Sequence, residues 1–291
     1  MTWTYAAATI VGALMVGFVW LQPVSISFIK YLMWAYSTST NSEKGNIEFH
    51  GAHIHYVAYG QGDPVLLLHG GLSNKLSWFA QIPWLVTSGR RVVLIDTRGH
   101  GDSTDGDAEL DYHLFADDTL QVLDRLNIKR TDIIGWSDGG IIALILGQQA
   151  PERVGRIVAI SANFQPSALQ FSAAEAHNQA RSTVKNKVIA WLQNRWTGSD
   201  KNDALLEEKI YALWQNAPQL EHTDLQAIVA PTLVIAGEYD VIDPDHTIEL
   251  AQHLTNGKLE IILGAGHSAH ITHASTFNKL VAAFLNIPNP I

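Results

Sequence analysis

Residues 131–139 read Thr-Asp-Ile-Ile-Gly-Trp-Ser-Asp-Gly, and the fold turns on how this stretch is read. Asp132 to Trp136 has the apolar run of a buried strand, and Gly139 to Gln149 continues as helical text. Between them, Gly135-Trp136-Ser137-Asp138-Gly139 spaces a serine evenly between two glycines. In a strand–turn–helix setting, such glycines let backbone segments approach closer than a Cβ allows. The turn then lifts the Ser137 hydroxyl above the sheet edge, at a helix N-terminus. A serine in an ordinary glycine-rich turn is the plainer reading, so the partners downstream decide.

Those partners arrive in order. Gly237-Glu238-Tyr239-Asp240 closes the apolar run Thr232 to Ala236 and puts Asp240 at a strand's carboxyl end. Gly264-Ala265-Gly266-His267 follows the last run, Leu259 to Leu263, and puts His267 on a loop. A weakly acidic serine needs a base to take its proton, and that base needs a carboxylate to fix its tautomer and support its positive charge. Ser137, Asp240 and His267 are the catalytic candidates. Asp243 and Asp245 are the rival acids. His270 and His273 are rival histidines, and His-x-x-His-x-x-His could be read as a zinc cluster. The glycine loop before His267 and the lack of an adjacent Glu favour the serine set, so no metal and no cofactor are expected.

Working outward, the chain alternates. Ile47–His50 and His53–Tyr59 read as a hairpin, and Val65–His69, Val92–Asp96, Asp132–Trp136, Arg156–Ser161, Thr232–Gly237 and Leu259–Leu263 as buried strands. Helical text separates these runs, which argues for an α/β fold: a mostly parallel sheet with helices on both faces. Gln165 to His222 has no strand signal and reads as a helical cap inserted after the sixth strand. Its Trp191 and Trp214, with Trp136 and Asp138 at the turn, are the candidate substrate contacts. His69-Gly70-Gly71-Leu72 follows its strand directly, so the N–H groups of Gly71, with Leu72 as alternate, and of Asp138 are the candidate oxyanion donors.

Composition narrows the function classes. With 19 basic against 28 acidic side chains in 291 residues, the net charge is −9, and no basic cluster suits a nucleic acid. No cysteine is present, which excludes a thiol nucleophile and a disulfide scaffold. The first charged side chain is Lys30. Thr2 to Leu21 as a helix would span roughly 30 Å, the thickness of a bilayer's hydrocarbon core, with Trp3, Tyr5 and Trp20 near its ends. Pro23 stops or kinks that helix, and Ile26 to Tyr36 could lie along a membrane surface. The expected organisation is an N-terminal hydrophobic anchor with its interfacial segment (1–36), a linker (37–46), a core (47–164 and 223–291) and a cap (165–222). A lipid bilayer is thus an expected partner, through a single-pass anchor whose side of the membrane is open. The body from residue 40 onward is expected to need nothing from the head. A cleaved signal peptide and a buried core helix are the alternatives for the head.

With HGG, DTRGHGDS, GWSDGG, GEYD and GAGHS all present, the chain resembles the α/β-hydrolase fold superfamily from roughly His50 to Ala283. GWSDGG and GEYD look most like the small-ester hydrolases of the biphenyl hydrolase-like and proline iminopeptidase-like kind. The resemblance implies an eight-stranded sheet and an enzyme: a serine hydrolase of a small, largely apolar carboxylic ester, thioester or lactone. Ser137 stands where haloalkane dehalogenases and epoxide hydrolases carry Asp, and the GGSWG turn of true proline iminopeptidases is missing. A carbon–carbon bond hydrolase, an amino-acid ester or amide hydrolase, a cofactor-free oxidoreductase and a non-catalytic membrane-anchored binding module remain the alternatives.

Several residues have plain readings. His69 is expected to brace the loop beneath it, and Arg98 and His100 the loop after Asp96. His53 and His55 are read as solvent-facing, and Asp117, Asp118 and Asp124 as one solvated helix face. The Asp138 carboxylate either favours the helix dipole or faces the pocket to meet a substrate amine.

Overall fold

In a computed structural model, residues 22–37, 42–170 and 203–290 are described. Eight strands form one sheet: β1 (Ser42–Phe49), β2 (Ala52–Tyr59), β3 (Pro64–Leu68), β4 (Arg91–Ile95), β5 (Thr131–Trp136), β6 (Val154–Ile160), β7 (Thr232–Tyr239) and β8 (Gly257–Gly266). Their spatial order is β1-β2-β4-β3-β5-β6-β7-β8. β1 pairs antiparallel with β2, and β2 antiparallel with β4. Every other pairing is parallel.

The apolar runs are continuous because helices cover both faces of the sheet. Leu66 and Leu68 of β3 join one core, with Val93, Ile95 and Ile133. Val65 and Leu67 join the other, with Val92, Leu94 and Ile134. Side chains alternate across a strand, so both parities must be apolar when both faces are buried. On the first face lie α3 (Tyr112–Arg125) and α4 (Asp138–Gln149). On the second lie α1 (Gln22–Ser37), α2 (Ile82–Thr87) and α9 (Ala274–Leu285). The order reverses at β3, with β4 on one side and β5 on the other. Open α/β sheets place their sites outside the carboxyl ends of the strands at such a point.

The insertion after β6 carries α5 (Asp203–Asn216) and α6 (His222–Ala227) before β7. α5 lies over the loops at the carboxyl ends. Lys209 Nζ donates to Asp105 Oδ2 at 2.8 Å, and Trp214 Nε1 donates to Asp138. Trp191 lies outside the described residues.

At the N-terminus the structure differs from the sequence reading in two respects. β1 begins at Ser42, inside the stretch read as linker, because Ser42 to Asn46 complete the register with Tyr59 to His55. α1 is a docked helix: Val24 and Tyr31 are buried, Phe28 meets Phe79 edge-on at 5.4 Å and Trp34 meets Tyr59 at 5.4 Å. The body therefore does use part of the head, and a truncation at residue 40 would uncover this apolar seat. The other side of α1 exposes Ile29, Met33 and Tyr36, at 43%, 67% and 87%. Among the described residues no helix is long and apolar enough to cross a membrane, and residues 1–21 lie outside them.

Candidate active site

Ser137 sits between β5 and α4 at φ +54 and ψ −120, a backbone region that non-glycine residues seldom occupy. Its neighbours hold it there. A Cβ on Gly135 would stand 2.1 Å from the Gly139 oxygen, and one on Gly139 would stand 2.1 Å from the Leu68 oxygen. Only glycine allows α4 to start this close to β3 and β5. The Ser137 N–H donates to the Ile160 carbonyl at 2.7 Å, which ties the turn to the end of β6.

Asp240 follows β7 and His267 follows β8, so three separate strand ends bring the set together. His267 Nε2 lies 3.1 Å from Ser137 Oγ, and His267 Nδ1 lies 2.7 Å from Asp240 Oδ1. The rival acids are elsewhere. Asp243 caps the helix α7 (Pro244–His253) by accepting from Asp245 N–H at 2.8 Å, and Asp245 lies in that helix's first turn.

The three spaced histidines have diverged. His270 belongs to the short helix α8 (Ala269–Thr272) and is fully buried, 4.7 Å from the rings of both Trp78 and Trp136. Burial, then the charge of His267, pulls its pKa down to about 3. His273 Nδ1 lies 3.0 Å from Thr272 Oγ1. They share no common ligand point.

Asp240 is well solvated by the protein. Its Oδ1 accepts from Val241 N–H at 2.7 Å and Ile242 N–H at 3.3 Å besides His267, and its Oδ2 accepts from Ser161 Oγ at 2.5 Å. Burial alone would raise its pKa. The His267 charge and the bonds from His267, Ser161 and Ile242 outweigh burial and hold it below the ordinary carboxylate value.

Asp138 is also buried but differently held. Oδ1 accepts from Trp214 Nε1 at 2.9 Å and Tyr112 OH at 3.1 Å, and Trp214 Nε1 lies 3.1 Å from Oδ2. Burial pushes its pKa up to about 6 against those two donors and the nearby His267. Both donors belong to the protein, so the carboxylate joins the cap helix α5 to α3 and the Ser137 turn. A Cβ on Gly71 would stand 2.5 Å from Asp138 Oδ2 and 2.7 Å from Trp214 Cζ2, so the strand-β3 loop needs glycine there.

Of the other expected contacts, the Leu72 N–H is already engaged, donating to His100 Nε2 at 3.0 Å. Leu72 has φ +54 in this loop, and the bond holds the loop in place. Trp136 points its indole N–H at the His267 carbonyl, 2.8 Å away. It shapes the histidine loop from behind.

The bracing residues are more buried than their types suggest. His69 Nε2 accepts from Thr97 N–H at 3.0 Å and its Nδ1 lies 2.8 Å from the Gly70 carbonyl, which makes Nδ1 the donor. Burial lowers its pKa, so it stays neutral beneath the loop. Arg98 is fully buried and donates to Asp118 at 2.9 and 2.6 Å, with further bonds to the Phe49, His50 and Asp105 carbonyls. Asp118 therefore leaves the solvated face on which it was placed. Asp117 and Asp124 remain exposed. His55 likewise turns inward, its Nδ1 3.5 Å from Asp96 Oδ2. Asp96 and Asp102 are bridged by Lys75, the latter at 2.7 Å. Nothing in the spacing of these residues signalled the pairings, since each joins elements far apart in the chain.

A family model described as the alpha/beta hydrolase fold matches residues 63–223, more than half of the chain. The chain belongs to the alpha/beta hydrolase fold family. It is 31% identical over 252 residues to a 2-hydroxymuconate semialdehyde hydrolase of Pseudomonas sp. (strain CF600), covering 78% of this chain and 88% of that one. To the serine hydrolase BPHL of Mus musculus it is 27% identical over 267 residues, covering 86% and 88%. Among solved structures it is similar to Est816, an N-acyl homoserine lactone degrading enzyme. The TM-score is 0.63 with 28% identity over 82% of this chain and 100% of that one. The relatives are enzymes of this fold, and this hydrolase is one too.

Proposed function

We propose that this hydrolase cleaves a carboxylic ester, thioester or lactone of a small, largely apolar substrate through an acyl-Ser137 intermediate. The observation that carries the reading is the relay Ser137 Oγ, His267 Nε2, His267 Nδ1, Asp240 Oδ1, at 3.1 and 2.7 Å. Ser137 Oγ attacks the carbonyl carbon while its proton passes to His267 Nε2. Asp240 balances the imidazolium and keeps Nδ1 as the donor. The carbonyl oxygen takes the negative charge beside the N–H groups of Gly71 and Asp138, the second of which opens α4 where no helical carbonyl precedes it. The proton then goes from Nε2 to the leaving alkoxide, and water, activated by the same nitrogen, releases the acid. An activated fluorophosphonate should label the wild type at Ser137, and a p-nitrophenyl ester panel should show turnover. Equal turnover by Ser137→Ala would sink the proposal.

Cleavage of a carbon–carbon bond by the same residues is the competing reading, because the 31%-identical relative is named for a semialdehyde. Parallel assays on 2-hydroxymuconate semialdehyde and on simple esters separate the two.

We also propose that the head holds the enzyme at a lipid bilayer. Support comes from the 29 uncharged residues before Lys30 and from the apolar stripe Ile29, Met33 and Tyr36 on the outer side of α1. Full-length protein should pellet with membranes and resist a carbonate wash, and Leu14→Arg should impair this. Because α1 is packed on the body, the soluble active form should start at residue 22. A full-length protein found in the supernatant would end the anchor reading.

A further inference from the structure

Ser161 is the residue after β6, and nothing in its sequence context marks it. In the structure it is 2% exposed and adopts φ +52, a conformation costly for a side chain other than glycine, Asn or Asp. Its backbone is pinned from both sides. Ile160, just before it, accepts the Ser137 N–H at 2.7 Å, and the Ser161 N–H donates to the Ile235 carbonyl of β7 at 2.8 Å. The strained turn therefore has a fixed outcome, which is to aim one hydroxyl between the strand ends.

That hydroxyl lies 2.5 Å from Asp240 Oδ2 and 3.0 Å from the His267 carbonyl. It carries one proton, which goes to the carboxylate, the closer and charged acceptor. The His267 carbonyl is already served by the Trp136 indole at 2.8 Å. On the Asp240 side, Oδ1 has two backbone donors besides His267, whereas among the described residues Oδ2 has Gly237 N–H at 3.4 Å as its one long alternative. Without Ser161, no short bond from the described residues holds Oδ2, and only the donors on Oδ1 resist rotation of the carboxylate about its Cβ–Cγ bond.

We propose that Ser161 is a positioning residue for the Asp240–His267 pair, locking the carboxylate plane so that Oδ1 faces His267 Nδ1. This rests on the serine-hydrolase reading above. The strain at φ +52 provides a test that separates positioning from simple stability. Glycine accepts that φ without penalty, so Ser161→Gly removes the hydroxyl while relieving the backbone. Ester kinetics and melting temperature are measured for full-length wild type, Ser161→Gly, Ser161→Ala and Ser161→Cys.

The glycine variant should melt above the alanine variant, because it is freed of the φ strain, yet lose about 10-fold or more in kcat, with KM within about twofold, since a lost bond to a charged group is worth that much. Alanine should lose similar activity. Cysteine, a weak donor of similar shape, should fall between serine and alanine. A glycine variant within twofold of the wild-type kcat overturns the inference. So does a kcat loss in all three that simply follows a lowered melting temperature. A wild type that neither turns over esters nor takes a fluorophosphonate overturns the hydrolase reading itself, and this inference with it.

Discussion

Two buried carboxylates flank the Ser137–His267 pair, and they are held in opposite ways. Asp240 has bonds to both oxygens from His267, Ser161 and the backbone of the strand-β7 end, and its pKa lies below the usual range. Asp138 has two neutral donors, Tyr112 and Trp214, and its pKa rises to about 6. The side-chain chemistry is the same, and burial opposes charge in both. The difference lies in the number of donors and in a partner that can itself become a cation. The surroundings of Asp240 favour its charged form, whereas Asp138 ties the cap helix to α3 and the Ser137 turn.

The comparison breaks first at its chemical end. Ser137→Ala or His267→Ala should each cost on the order of 10⁶ in kcat, because the members act as a unit. Steady-state ester turnover measures this, and a loss under tenfold would end the relay. Next, Asp240→Asn should cost on the order of 10⁴, since an amide cannot support the imidazolium and offers the wrong tautomer partner. Pre-steady-state acylation should slow by a similar factor, and a burst as fast as wild type would show that the acid is idle.

On the other side of the pair, Asp138→Asn should cost less than about tenfold in kcat, because its backbone N–H remains and an amide oxygen can still accept from Tyr112 and Trp214. Its stability signature is sharper. The folded pKa of about 6 exceeds the unfolded value of 3.8, so the folded state binds the extra proton between them and stability falls as pH rises through that window. The amide does not titrate. The melting temperature of Asp138→Asn minus that of wild type should therefore grow from pH 4 to pH 7. A constant difference would mean that Asp138 is not the group responsible.

The smallest effect belongs to the link between cap and core. Trp214→Phe removes one donor from Asp138 and keeps an aromatic ring against Gly71. It should cost about 1 kcal/mol of stability, read as a modest drop in denaturant midpoint. If the midpoint is unchanged and ester selectivity shifts strongly, Trp214 is a substrate contact more than a strap.

Much of the site was legible because local chemistry constrains it. The Gly135–Gly139 spacing, the strand ends before Asp240 and His267, and the glycine loop at Gly71 are each contained in a few adjacent residues. The misreadings involve partners distant in sequence. Asp118 was placed on a wet face by its charge, but Arg98 arrives from 20 residues away to pair with it in the core. Strand alternation points His55 at solvent, yet Asp96 and Asp102 lie 3.5 and 3.8 Å from its Nδ1. Leu72 offered an amide, and His100 took it. The head looked separable, yet α1 seats Val24 and Tyr31 in the second core.

The sequence by itself determined the sheet, the order of Ser137, Asp240 and His267 along it and the need for glycine at the turn, because apolar runs, β-strand period and steric exclusion act over neighbouring residues. Tertiary structure alone decided which oxygen of Asp240 meets His267, that Ser161 guards the other, and that Asp138 carries a raised pKa. Those outcomes depend on donors delivered by β6, α3 and α5 across tens of residues, and on burial that exists only once both faces of the sheet are covered. A hydrogen bond's partner and a carboxylate's charge state are properties of that assembled surrounding, and no stretch of chain encodes them alone.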